Sequence, residues 1–238
     1  MAGVTNSGKR LVRSKSGLRI IPLKDTDRSP FELREPEWIP DKMSPTCMDC
    51  KEKFDFLKRR HHCRRCGRVC CATCCETRLA LPRMCFLDPV RMCSPCAETT
   101  SKENQFYNKD LKTLITGAIL SQSAQDQFDL ESCLVQCRLS PDHRYLILSG
   151  SQVDNLTPLS IPMHRVTGLH VANRFQDSAG NFKVTGVTVQ YTLAGEDEDE
   201  VSIAAPPDAS PSAYDFLTAL EKAVFMMQEA RAVIGIAE

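Results

Sequence analysis

Four Cys-x2-Cys pairs lie within fifty consecutive residues: Cys47/Cys50, Cys63/Cys66, Cys71/Cys74 and Cys93/Cys96. A two-residue spacer lets one turn aim both thiolates at a single ion, and two such turns complete a closed tetrahedral cage of the structural zinc type. Four pairs therefore predict two zinc ions. A closed cage keeps no ligand position for water, which argues against metal-assisted hydrolysis. Cys70, Cys75 and Cys85 fall outside this spacing and read as packing residues or free thiols. His61 and His62, just ahead of Cys63, could replace a thiolate, but eight paired cysteines make that unnecessary. Spacing leaves the pairing open. Serial pairs would give two knuckles side by side, whereas interleaving first with third and second with fourth would lock both ends of the block together.

Eleven of the thirteen cysteines fall between Cys47 and Cys96, as metal ligands cluster and a disulfide framework does not. No apolar run of secretory length precedes them, so the expectation is a reducing compartment with thiols available to metal. Ala2 stands where N-myristoylation needs glycine, and no stretch approaches the roughly eighteen apolar residues of a membrane span. Membrane contact, if any, is then peripheral. Thirty basic residues balance thirty acidic ones, but not locally. Residues 47–96 carry eleven Lys/Arg against five Asp/Glu, while residues 106–238 carry nine against seventeen. The cysteine block wants an anionic partner and the remainder does not.

Residues 1–24, with Lys9, Arg10, Arg13, Lys15, Arg19 and Lys24 and no acid before Asp25, read as a flexible basic tail, continued to residue 36 as a linker. Pro30, Pro36, Pro40 and Pro45 keep the chain extended around its one tryptophan, Trp38. A finger over 37–100 follows, then a linker at 101–108, the polar stretch 97–105 bridging the two. From 109 the period changes to two: Cys133, Val135, Cys137 and Leu139 alternate with Leu134, Gln136 and Arg138, and Val187, Val189, Tyr191 and Leu193 with Thr188, Gln190 and Thr192. Further strands are expected at 112–119, 145–149, 159–172 and 201–204, and the acidic run Glu196–Glu200 reads as a solvated loop. Phe216, Leu217, Leu220, Val224 and Met227 then form a helical stripe at about 213–232, with Ser212 and Asp215 as a capping-box-like start. Antiparallel strands closed by one helix predict a pleckstrin-homology-like barrel or sandwich, so the fold class is α+β.

The finger carries more than spacing. "WIPD" at 38–41, "RRHHCRRCG" at 59–67 and "RMC" at 91–93 stand in that order around the eight cysteines. The stretch from about 38 to 100 resembles the FYVE zinc fingers, whose signatures are W-x-x-D, R-R/K-H-H-C-R and R-V-C. Met92 departs from the usual Val but leaves Arg91 and Cys93 in place. The resemblance implies interleaved, cross-braced pairing: Cys47, Cys50, Cys71 and Cys74 on one zinc, and Cys63, Cys66, Cys93 and Cys96 on the other. It implies phosphatidylinositol 3-phosphate as the ligand, on the cytosolic face of endosomes. By motif position Arg64 and Arg91 would hold the 3-phosphate, Arg59 and Arg60 would lie nearer the 1-phosphate, and His61 and His62 would help bind the head group. Asp41 would accept from inositol hydroxyls, Trp38 would pack the motif, and Phe56 and Leu57 would enter the bilayer. FYVE fingers also pair, so a homodimer is among the expectations.

These readings converge on a non-enzymatic, peripheral membrane adaptor in the cytoplasm, on endosomes or other vesicles, whose C-terminal domain meets a protein partner. Two other classes compete. A basic zinc module for nucleic acid would need a recognition helix or aromatics among the arginines, and only the Phe56–Leu57 pair is available, so no nucleic acid is expected. A RING-like ubiquitin ligase shares the two-zinc scheme but wants His near its middle ligands, whereas here the histidines precede Cys63. No nucleophile and base emerge at a readable spacing in the C-terminal domain.

Overall fold

The computed structural model describes residues 4–5, 8–123, 133–150, 158–193 and 197–235. It divides into two units: residues up to Arg28 with Glu32–Gln105, and Ser29–Phe31 with Phe106 onward.

In the first unit, residues 9–22, expected as part of a flexible tail, form a hairpin. Strand β1 (Val4–Thr5) pairs with β2 (Lys9–Ser14), which folds back on β3 (Gly17–Pro22) with Ser14 opposite Gly17. Lys15 and Ser16 are thus a two-residue turn. An isolated hairpin is marginal in water, and this one is bonded to the finger. Ile20 donates its backbone N–H to the Cys85 carbonyl (3.1 Å), and Leu87 donates to Leu18 (3.0 Å). The finger holds two short ladders, β4 (His61–His62) with β5 (Val69–Cys70) and β6 (Arg78–Leu79) with β7 (Val90–Arg91).

Residues 97–108, expected as a bridge and linker, are helical: α1 spans Ser94–Gln105 and the chain continues into a π turn at Phe106–Asp110. The polar composition that suggested a loop has a structural use. Glu103, nearly buried, takes charge-assisted hydrogen bonds from Arg65 (Nη2–Oε1 2.7 Å) and from Arg83, which is only 1% exposed. Asn104 Nδ2 donates to the Ala80 carbonyl (2.9 Å).

The second unit is one seven-stranded antiparallel sheet. In chain order its strands are β8 (Ala118–Ser123), β9 (Cys133–Leu139), β10 (Tyr145–Gly150), β11 (Leu159–Pro162), β12 (Val166–Gln176), β13 (Phe182–Thr192) and β14 (Glu198–Ala204). Their order across the sheet is β11-β10-β9-β8-β14-β13-β12, so the first and last strands in chain order pair in the middle and β11 and β12 form the edges. Helix α3 (Pro211–Gly235) buries Phe216, Leu217, Leu220, Val224 and Met227, the stripe expected from sequence. Phe31, placed by sequence in the linker, belongs to this core, edge-on to Phe106 with centroids 5.4 Å apart.

Several details differ from expectation. Residues 112–116 are helical, in α2 (Leu111–Thr116), because Leu111 and Leu114 are buried at helical spacing; the strand starts only at Ala118. The strand expected over 159–172 is split by a 3₁₀ turn at Met163–Arg165 after Pro162. Glu198–Glu200 are strand residues, exposed but paired with Gln190, Tyr191 and Thr192; Glu196 lies outside the described residues. Asp215 pairs with Lys183 of β13.

Candidate functional site

The eight paired cysteines converge in two groups. The sulfurs of Cys47, Cys50, Cys71 and Cys74 lie within 4.8 Å of one another, as do those of Cys63, Cys66, Cys93 and Cys96. The pairs interleave in space: Cys50 Sγ is 3.8 Å from Cys71 Sγ and Cys66 Sγ is 3.9 Å from Cys93 Sγ. A tetrahedron of sulfurs 2.3 Å from zinc has edges of roughly 3.8 Å, so both groups have the size of a four-thiolate zinc cage. Each cage lowers some of its thiols and raises others: Cys47, Cys63 and Cys93 fall, while Cys50, Cys66, Cys74 and Cys96 rise. The Cys66, Cys93 and Cys96 thiols hydrogen-bond to Cys63 and drive it far below the ordinary thiol range. At Cys47 burial pulls upward, but backbone N–H groups of Cys71, Asp49 and Cys50 bring it to about 6. Cys71 N lies 3.2 Å from Cys47 Sγ. Burial pushes the unpaired thiols Cys70, Cys75 and Cys85 up to about 12, so they are neutral and poorly nucleophilic.

The cages order the basic strand between them. Cys63 N donates to Arg68 O (3.0 Å) and Gly67 N to Cys63 O (2.9 Å), a tight turn with Gly67 at φ +73°. A Cβ there would stand 2.3 Å from the Glu37 carbonyl, so glycine is what lets the Trp38 segment approach; Ile39 N then donates to Gly67 O (3.1 Å). Arg64 N donates to Arg91 O (3.0 Å), which fixes two motif arginines on one backbone contact.

Side chains of the three motifs meet. Trp38 stacks on His62 at 4.6 Å, and the Arg64 guanidinium lies 5.0 Å over the indole. His62 Nε2 sits 2.8 Å from the Ile39 carbonyl and 3.8 Å from Asp41 Oδ1, on a 3₁₀ turn at Asp41–Met43. Arg64 donates Nη1–H to His62 O (2.6 Å), Arg60 donates Nε–H to Ser44 O (3.1 Å), and Arg91 donates Nη1–H to Cys75 O (2.7 Å). His61 is held below the usual histidine range by burial and then by the charges of Arg91, Arg64 and Arg59, which records how much positive charge converges on this strand. Arg59 is exposed beside it.

The loop before the strand presents Phe56 and Leu57 almost fully to solvent, 86% and 89% exposed. Asp55 organises it: its Oδ1 accepts from Leu57 N (2.8 Å) and Lys58 N (2.7 Å), a turn that leaves no apolar partner for either side chain. Phe54 is half-buried under the Arg60 guanidinium at 4.7 Å. Met43, 75% exposed on the Asp41 turn, is a further apolar group that sequence reasoning did not single out. It also missed Ser16, whose carbonyl accepts from Arg64 Nε (3.3 Å); the signal was Gly17 followed by Leu18, Ile20 and Ile21.

Two interleaved four-thiolate cages framing a histidine and arginine strand, followed by a helix-closed antiparallel sheet, define a FYVE-type zinc-binding protein with a pleckstrin-homology-like second unit. Residues 37–102 match the family described as "FYVE zinc finger". Residues 105–232, more than half of the chain, match the family described as "Zinc finger FYVE domain-containing protein 21 C-terminus", and the chain belongs to that family. Two zinc ions are its cofactor. The chain is 45% identical over 74 residues to Zinc finger FYVE domain-containing protein 16 of Mus musculus, covering 31% of this chain and 5% of that protein. To Pleckstrin homology domain-containing family F member 1 of Homo sapiens it is 48% identical over 75 residues, 31% of this chain and 26% of that one. To Phosphatidylinositol-3,5-bisphosphate 3-phosphatase MTMR4 of Xenopus laevis it is 37% identical over 101 residues, 40% and 9%. The chain thus spans a small part of these relatives, and the phosphatase match concerns only the finger; the matched families are binding families rather than enzymes. Among solved structures, the LM5-1 FYVE domain of Leishmania major is 30% identical, covering 34% of this chain and 88% of that chain, with a TM-score of 0.27. No helix among the described residues is long and apolar enough to cross a membrane.

Proposed function

We propose that the finger is a receptor for phosphatidylinositol 3-phosphate and that the protein is a peripheral adaptor on endosomal or vesicle membranes. The observation that carries this is the meeting of Arg64 and Arg91 on one backbone hydrogen bond, with His61 among the same charges. Arginine forks give paired charge-assisted hydrogen bonds to phosphate oxygens, so these two hold the 3-phosphate, and Arg59 and Arg60 face the diester phosphate. His61 and His62 add head-group contacts. Asp41 accepts from inositol hydroxyls, and as an acceptor it disfavours additional phosphates on the ring.

Membrane contact comes from Phe56 and Leu57. Their burial in lipid contributes roughly 3 to 6 kcal/mol before ordering costs, and each basic neighbour near an anionic leaflet adds about 1 kcal/mol. Neither term anchors a protein alone, so head-group recognition, insertion and charge act together. The acidic second unit supports a protein partner better than a second phosphoinositide site. A homodimer is compatible with this reading and would increase membrane avidity.

The test is capture of the full chain by phosphatidylcholine vesicles with and without phosphatidylinositol 3-phosphate at matched salt. The wild type should bind the doped vesicles at least about tenfold more tightly, and Arg91→Ala should abolish the difference. Equal capture by both vesicle types overturns the reading; a mobility shift with RNA or DNA at that salt would favour nucleic acid instead.

A further inference from the structure

The N-terminal hairpin precedes both matched regions, the earlier of which begins at residue 37. It is nonetheless bonded to the strand on which the proposed head-group site is built. Its turn buries Ser16, 5% exposed, and hands the Ser16 carbonyl to Arg64 Nε at 3.3 Å. With Nη1 on the His62 carbonyl and the Trp38 ring beneath, two of the three guanidinium nitrogens of Arg64 are held by backbone oxygens. Nη2 is the one left to meet an anion. The docking is tight: a Cβ on Gly17, at φ +144°, would stand 3.1 Å from the Phe86 ring, and Arg19 of the same strand bridges to Phe86.

The turn also brings charge. Arg13 and Lys15 are exposed, and among the described residues neither makes an ion pair. Lys15 begins about 3.8 Å along the chain from Ser16 and carries a four-carbon stem long enough for its ammonium to extend toward an anion held by Arg64. A cationic turn packed beside Arg64 and Arg91 adds to a local positive field that favours an anion there.

We infer that the Ser14–Gly17 turn is the end wall of the head-group site: the Ser16 carbonyl positions Arg64, and Lys15 gives the monoester phosphate a further cation. This rests on the phosphoinositide reading and extends it to a segment outside the finger. The shared chemistry is a phosphate monoester, whether on an inositol ring or free.

The experiment titrates the zinc-loaded full chain with soluble inositol 1,3-bisphosphate, with inorganic phosphate as a separate arm. Lys15→Glu should weaken inositol bisphosphate binding about tenfold, and Lys15→Arg should restore it to within about twofold. Gly17→Val, which drives a side chain into Phe86, should cost at least as much while two zinc ions per chain remain. If both Lys15→Glu and Gly17→Val bind like a wild type that itself binds, the hairpin is no part of the site and the phosphoinositide reading stands. A wild type that fails to bind inositol bisphosphate overturns both, and one that holds inorganic phosphate as tightly overturns the phosphoinositide reading alone. Should Gly17→Val lose zinc, the Lys15 pair decides.

Discussion

Cys63 and Leu120 are both wholly removed from solvent, for different reasons. Leu120 sits in one continuous apolar cluster that runs through β8–β14 and α3 and stabilises the second unit by area taken from water. Cys63 is buried because three other thiols surround it. The buried apolar groups of the first unit, such as Val69, Leu81, Phe86 and Met92, lie outside that cluster, and short ladders, two cages and the Arg65–Glu103–Arg83 network supplement them. A metal-built unit can spend its side chains on the surface. That is why the finger can afford fully exposed Phe56 and Leu57 and a converging set of arginines, while the sheet unit keeps its large apolar groups mostly inside.

Zinc removal breaks this comparison with the largest effect. Structural zinc in finger peptides is worth about 10 to 16 kcal/mol at neutral pH, more than a unit of this size can replace. With a strong chelator, amide signals of residues 37–102 should collapse to random-coil positions, while those of β9, β10 and β13 keep their dispersion. Simultaneous collapse of both sets would show that the two units do not stand on separate foundations.

Features legible in the sequence were those that repeat. Four Cys-x2-Cys pairs declared the cages, alternation at Cys133–Leu139 and Val187–Leu193 declared strands, and Phe216 to Met227 declared the closing helix. What stayed hidden depends on partners distant in the chain. Leu11 and Val12 are adjacent and both only half-buried, so β2 shows no alternation; its hairpin is held by Cys85 and Leu87, some seventy residues away. Helix α1 looked like a linker because its buried residues, Thr100 and Glu103, are polar, and Glu103 is tolerated inside only by Arg65 and Arg83. The motif residues were readable one by one, whereas the contact of Ser16 with Arg64 required the hairpin to be placed first.

That network gives the second break. Glu103→Ala leaves Arg83, 1% exposed, without the carboxylate that offsets its charge, and removing one member of a buried pair costs about 3 to 5 kcal/mol. The first unit should lose that much in denaturant unfolding, with zinc still at two per chain in native mass spectrometry. An unchanged midpoint would mean that metal alone carries the finger.

The smallest effect on stability should come from the most conspicuous apolar groups. Phe56 and Leu57 touch almost nothing, so replacing both with serine removes no packing, and the thermal midpoint should stay within about 1 °C by the rule that exposed substitutions change stability little. Affinity for soluble inositol 1,3-bisphosphate should also hold, since Asp55 organises the loop through its own carboxylate rather than through these side chains. Vesicle affinity should nonetheless fall by one to two orders of magnitude, the equivalent of about 1.5 to 3 kcal/mol for each side chain no longer buried in lipid, less ordering costs. A drop in head-group affinity or in stability would place Phe56 and Leu57 in the finger's own architecture. Stability and head-group affinity held, with vesicle binding lost, would separate the part of the metal-built unit that reads the lipid from the part that enters the bilayer.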